Sequence, residues 1–323
     1  MRNFFILVLF LLFWGFTILL RVPIGPIDRL LALAAFAILL TPYLMFASAE
    51  FTAWIRSHPR RWSAIAFPAS LFLAYLLYTL GPGHWHPRNG LLLLLYLALP
   101  VLAIRLARSW GTPPNLWDAA AVLLVYLPVQ LSLIAPIWEP QDPALHSPAH
   151  PFSQLVGMDI MLFCFMAIRA LPGIGYTFRI RGRDLLIGIA AFALFFPVAL
   201  FLGNISGFVP FEPHWPDPGS IPGIALGLTF LVALPEELFF RGIVQNLLQR
   251  SFRFRHGGIA ALLTTSILFG LSHINNRGFL DWRYICLATL AGIVYGSVYR
   301  ATGKATAAAI PHALTDIVWR LCF

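Results

Sequence analysis

The chain is expected to fold as an all-α, polytopic transmembrane helical bundle of about 11 spans, with its N-terminus inside and its C-terminus outside. Three observations predict this. Hydrophobic residues make up 59% of the 323 positions and charged residues only 11%, whereas an average soluble domain is about 25% charged. Mean hydropathy is +0.79, and apolar runs of roughly 20 residues, enough to cross a bilayer core, recur along the chain. The basic residues fall mainly on alternate connections, as topogenic charges do.

The expected spans run roughly 3–20, 30–48, 63–80, 90–107, 117–137, 154–172, 184–203, 221–241, 257–275, 284–299 and 305–320. No small-x-small cleavage site follows the first, so it reads as an uncleaved anchor. The next four are rich in Leu and Ala and carry charges only at their ends. From about 154 onward the spans acquire polar groups: Asp159, read as a wet carboxylate near a helix mouth, and then a denser set in the last four helices. Residues 1–150 therefore read as an N-terminal helical extension and 151–323 as the functional bundle.

Several smaller features read as scaffold. Gly223-x-x-x-Gly227 and Gly292-x-x-x-Gly296 are small-residue spacings that let helices approach closely in lipid. Trp85, Trp138, Trp215 and Trp282 sit at span ends, where aromatic belts form. His84 and His86 have no third ligand near in sequence and read as a solvated turn. Cys164, Cys286 and Cys322 lack metal-ligand spacing and read as small buried hydrophobes.

Alternating the connections from an inner N-terminus sorts the charges. Arg2, Arg56, Arg60, Arg61, Arg105, Arg108, Arg169, Arg179, Arg181, Arg183, Arg250, Arg253, Arg255, Arg300 and Lys304 fall inside, which is 15 residues. Arg21, Arg29, Arg88, Arg277, Arg283 and Arg320 fall outside, which is 6, and Arg241 lies within a span. The net charge of +9 is thus topogenic, and nucleic acid is not an expected partner.

Two adjacent glutamates, Glu236 and Glu237, lie inside an apolar segment. Ionisable groups at bilayer depth are costly and mark function. Successive helical residues point about 100° apart, so the two cannot face the same way. Glu237 and Arg241 are four apart with the acid first, the favourable order for an ion pair on one helix face; that pairing leaves Glu236 to face a reaction space. Phe269 and His273 share a face, with the Phe as an apolar wall. His312 and Asp316 are also four apart, so the carboxylate can orient the imidazole. Pro235 and Pro311 each precede a key residue and open the local backbone ladder. Glu236 and His273 flank the basic turn 250–256 symmetrically, which puts them at similar height on antiparallel helices.

Glu236-Glu237-x-x-x-Arg241, Phe269-x-x-x-His273 and His312-x-x-x-Asp316 resemble the three ordered motifs of the CPBP family, the CAAX-processing and bacteriocin-processing intramembrane proteases that include the type II CAAX prenyl endopeptidases. The resemblance covers roughly residues 180–320. It implies that Glu236 and His273 activate a water molecule while His312 and residue 316 assist at the scissile carbonyl, with Glu237, Arg241 and Phe269 as structural support. The family's last motif commonly ends in Asn; here it is Asp316, which donates a hydrogen bond only when protonated. No His-Glu-x-x-His zinc helix is present. Two mechanisms stay open: Glu236 as a metal-free general base, or a divalent metal such as zinc held by Glu236, His273 and His312 with one open position.

These features imply an intramembrane endopeptidase whose substrate is a membrane protein or lipidated peptide in contact with membrane lipids. A non-catalytic membrane scaffold or immunity protein of the same family is the alternative, and a proton-coupled transporter is a third reading. Arg-heavy, Lys-poor usage points to a bacterial inner membrane.

Overall fold

The computed structural model describes residues 11, 15, 24–58, 60–81, 85–139, 149–209, 217–276 and 280–323. Among them the regular structure is helical, and the residues cluster into two compact units, Met1–Leu171 and Pro172–Phe323. Six helices are long and apolar enough to cross a membrane: Pro26–Met45, Pro87–Ser109, Pro151–Ile168, Gly182–Ile205, Ile221–Ser251 and Trp282–Thr302. Ala64–Leu80, Leu116–Gln130 and Gly257–Leu271 are apolar but shorter. The expected span at 3–20 lies almost wholly outside the described residues.

In the first unit, α1 (Pro26–Met45), α2 (Ala49–Ser57), α3 (Arg60–Leu80), α4 (Pro87–Ser109), α5 (Leu116–Gln130) and α6 (Ala149–Leu162) pack together, and α6 continues as a π-helix over Phe163–Ile168. Short α2 was not expected from hydropathy; Ser48 caps it by accepting from the Phe51 N–H. The segment read as 117–137 stops at Gln130, where Pro128 O accepts from the Leu133 N–H and Ser132 turns to φ 54°. A 3-10 turn, Ala135–Trp138, follows. Trp138 is fully buried against Tyr75, Tyr78 and Phe152, and so is not a member of an interfacial belt.

A buried ion pair locks the unit: Arg169 donates through Nε and Nη2 to Asp118 at 2.7 and 2.9 Å. Asp118 also accepts from the Asn115 N–H in a capping box that starts α5. Asp159 corrects the expectation of a wet carboxylate, since it is fully buried and neither oxygen has a hydrogen-bond partner among the described residues. Of the cysteines, only Cys164 is buried; Cys286 is exposed and Cys322 intermediate.

The second unit comprises α7 (Gly182–Ile205), α8 (Ile221–Ser251), α9 (Gly257–Leu271), α10 (Trp282–Thr302) and α11 (Ala305–Cys322). Helix α8 is 31 residues long and changes winding repeatedly. It is π-helical over Thr229–Ala233, α-helical over Leu234–Glu237, and π-helical again over Leu238–Gln245. Pro235 has no N–H to donate to the turn before it, which accounts for the first opening. Small residues set the spacing of α9 and α10. A Cβ on Gly292 would lie 3.0 Å from the Ser266 Cα, and one on Gly296 would lie 2.4 Å from Leu262. The Gly292-x-x-x-Gly296 spacing is thus a packing device.

Candidate active site

The glutamates stand midway along α8, and their environments diverge. Glu237 is completely buried; its Oε2 accepts from Arg241 Nε at 2.8 Å, and Oε1 faces His312 Nδ1 at 2.9 Å. The ion pair read from the four-residue spacing is present. The partner on α11 was not foreseen. A carboxylate can only accept, so Nδ1 of His312 carries a proton and its Nε2 is left to face the other groups.

Two carboxylates meet that nitrogen. Asp316 Oδ2 is 3.4 Å from His312 Nε2, and Glu236 Oε2 is 3.8 Å from it. Glu236 keeps 26% of its side chain exposed and Asp316 keeps 29%, so both border open space. Glu236 Oε2 makes no hydrogen bond among the described residues. Adjacent helical side chains about 100° apart thereby grip one imidazole from two sides. The geometry corrects one expected role: Glu237, not Asp316, holds His312 in orientation, while Asp316 shares Nε2 with Glu236. The approach of Nε2 to Asp316 is favourable when either of the two carries a proton.

Aromatic rings fix the imidazole plane. Tyr295 stacks on His312 with ring centroids 4.7 Å apart and planes 16° from parallel. Phe269 meets His312 edge-on at 5.6 Å and also lies 5.1 Å from the Arg241 guanidinium carbon. Phe269 is therefore the expected apolar wall. Tyr295 was missed, although a bulky residue set between Gly292 and Gly296 on one helix stripe is a signal that it fills an interhelical gap.

His273 lies just beyond the C-terminus of α9. Its Nδ1 is 2.8 Å from the Phe269 carbonyl oxygen, which can only accept; Nδ1 therefore carries the proton and Nε2 is an acceptor. The ring lies 5.0 Å from Tyr284 and 4.9 Å from Phe269. Among the described residues no hydrogen bond or ion pair joins it to Glu236. The two histidines and Asp316 instead line one cavity of about 430 Å³, walled by Phe195, Phe208, Phe269, Tyr284, Tyr295 and Trp319.

The zinc set expected from Glu236, His273 and His312 does not fit this arrangement. Among the described residues no three His, Cys, Asp or Glu side chains are gathered to hold one ion. His312 Nδ1 and His273 Nδ1 are both engaged, and only the Nε2 of His312 approaches Glu236.

Residues 218–318 match the family model for type II CAAX prenyl endopeptidase Rce1-like proteins. This stretch is an Rce1-like, CPBP-type protease domain. It spans α8 to α11 and contains all seven residues singled out from the three motifs. No match to the chain was found among curated proteins or among solved structures. The family match over 218–318 and the six apolar helices together support an integral membrane protein.

Proposed function

We propose that the protein is a glutamate-dependent intramembrane endopeptidase that hydrolyses a peptide bond of a membrane protein or membrane-bound peptide. The observation that carries this is the Glu236 carboxylate, whose Oε2 has no hydrogen-bond partner among the described residues and lies 3.8 Å from the Nε2 of His312, a cavity-lining histidine whose other nitrogen is tied down. Glu236 takes a proton from water as the oxygen attacks the scissile carbonyl carbon. His312, protonated at both nitrogens, donates from Nε2 to the developing oxyanion. Glu236 then passes its proton to the departing amine as the C–N bond breaks.

Glu237 and Arg241 act through His312 as positioning residues. The Nε2 of His273 faces the same space as an acceptor and suits a second water contact. Asp316, 3.4 Å from His312 Nε2, can donate to the oxyanion beside it once protonated, the task that Asn performs as a plain donor in the usual family motif.

Glu236→Gln tests the reading. Its Oε2 has no hydrogen-bond partner among the described residues, so the variant should fold and melt as the parent does. Loss of a general base costs about 10²–10⁴-fold in rate. Native substrate cleaved at the parental rate by a folded Glu236→Gln protein would instead favour a non-catalytic scaffold or immunity role.

A further inference from the structure

We propose that the substrate reaches this site from the end of the helical unit opposite its basic loops, so that the peptide cut is an extended, apolar segment at the extracytoplasmic face of a membrane protein. The reaction rests on the protease reading above; the direction of opening does not.

The cavity is strung along one half of the unit. His312 lies seven residues, about 10 Å, from the start of α11, and Trp319 lies about 10 Å further on. On α10 the lining runs the matching way, from Tyr295 back to Tyr284, eleven residues or about 16 Å nearer the N-terminus. His273 and Asn276 join it just past the end of α9. Every lining residue thus lies at or beyond the level of His312, on the side of the 206–209 and 272–284 connections.

The other end is tied shut. Asn246 Nδ2 and Arg250 Nη2 both donate to the Pro172 carbonyl, at 2.9 and 3.0 Å. Tyr299 donates to the Gly173 carbonyl. Ala305 N–H donates to Gly175 O at 3.0 Å, and Lys304 Nζ bonds Asp184 at 2.6 Å. A Cβ on Gly175 would meet the Gly303 carbonyl oxygen at 2.4 Å, so backbones touch there. Beneath the reaction space, Glu237, Arg241 and Gln245 are completely buried. A separate indentation of about 570 Å³ at this end, bordered by Arg250 and Arg300, shares no residue with the cavity.

Charge assigns the two ends to membrane faces. The connections at 179–183, 250–255 and 300–304 carry eight Lys and Arg, whereas among the described residues the opposite end of the unit carries Arg283 and Arg320. The basic end is therefore cytoplasmic and the open end extracytoplasmic. The walls select the ligand: six aromatic side chains border the same space as His273, His312 and Asp316, an arrangement that takes bulky apolar side chains beside an extended backbone.

The test uses the full chain in right-side-out and inverted membrane vesicles, with Cys164, Cys286 and Cys322 replaced. Single cysteines are introduced as Asn276→Cys or Trp319→Cys in the cavity, and Arg300→Cys at the basic end. A membrane-impermeant maleimide should label Asn276→Cys and Trp319→Cys only in right-side-out vesicles, and Arg300→Cys only in inverted ones. Cavity cysteines labelled from the inverted side, or from neither side, overturn the proposal. Protein termini present with the parent and lost in Glu236→Gln should map to extracytoplasmic apolar segments. Lost termini on cytoplasmic segments overturn the substrate class; the absence of any lost terminus defeats the protease reading and leaves the labelling result standing.

Discussion

Replacing Glu237 by glutamine removes the one charge that both Arg241 and His312 depend on. The amide oxygen can accept from only one of its two neighbours, Arg241 Nε at 2.8 Å or His312 Nδ1 at 2.9 Å. Its NH2 group then points a donor at the other donor. Arg241 is fully buried, and its Nη1 and Nη2 already lack hydrogen-bond partners among the described residues. Breaking a buried pair by neutralising one member costs about 3–5 kcal/mol, much of it the penalty of stranding the remaining charge. Taking the lower end, and about 2 °C per kcal/mol for a chain of this size, the melting temperature should fall by about 6 °C. His312 loses its fixed orientation as well, so cleavage should fall even in the folded fraction. The assay is thermal unfolding in lipid nanodiscs beside cleavage kinetics, with Glu237→Gln/Arg241→Gln completing a double-mutant cycle. The double variant should recover part of the lost stability. A Glu237→Gln protein that melts and cleaves as the parent does would refute the argument that this pair anchors the site.

Three further outcomes are expected. Asp316→Asn should retain cleavage, because an amide can donate where Asp316 must first be protonated; Asp316→Ala should lose about 10²-fold in kcat/KM. Gly270→Ala should lower stability by about 1–3 kcal/mol, read by thermal melts, since its Cβ would lie 2.6 Å from the Ile285 carbonyl oxygen and 2.0 Å from Thr289 Oγ1. At the start of α10, hydrogen bonds from the Arg283 side chain hold the Asp281 carboxyl below the usual carboxylate range. The folded form therefore gains from ionised Asp281 above pH ~4, the ordinary Asp value, and loses that gain as pH falls through the lowered one. Melts of the parent and Asp281→Asn should differ at neutral pH and converge in acid.

The helical course of the chain was readable because each apolar run is long and bounded by charge, Pro or Gly. Helices α7 to α11 begin and end within a few residues of the runs expected for them, apart from the extra turns of α8 down to Ser251. Short-range geometry was legible too: the Glu237–Arg241 pair and the opposite facing of Glu236 follow from helical rotation alone. What failed depends on packing between helices. Nothing local to His312 tells whether its nitrogen meets Asp316 four residues on or Glu237 seventy-five residues away. The burial of Trp138 and Asp159, and the ion pair of Asp118 with Arg169, likewise depend on which helices are neighbours. Equal sequence distance from the 250–256 turn suggested that Glu236 and His273 meet, but α9 ends at Leu271 and turns His273 towards Tyr284.

The wide winding of Leu238–Gln245 makes this stretch sensitive to its length in residues as well as to its composition. Deleting a single codon there without a compensating change in winding would rotate everything downstream by about 100° and draw it in by about 1.5 Å. Asn246 and Arg250 would swing away from the Pro172 carbonyl that they both grip. One-residue indels, harmless in most surface connections, should therefore be poorly tolerated between Leu238 and Gln245, even where every motif residue is kept.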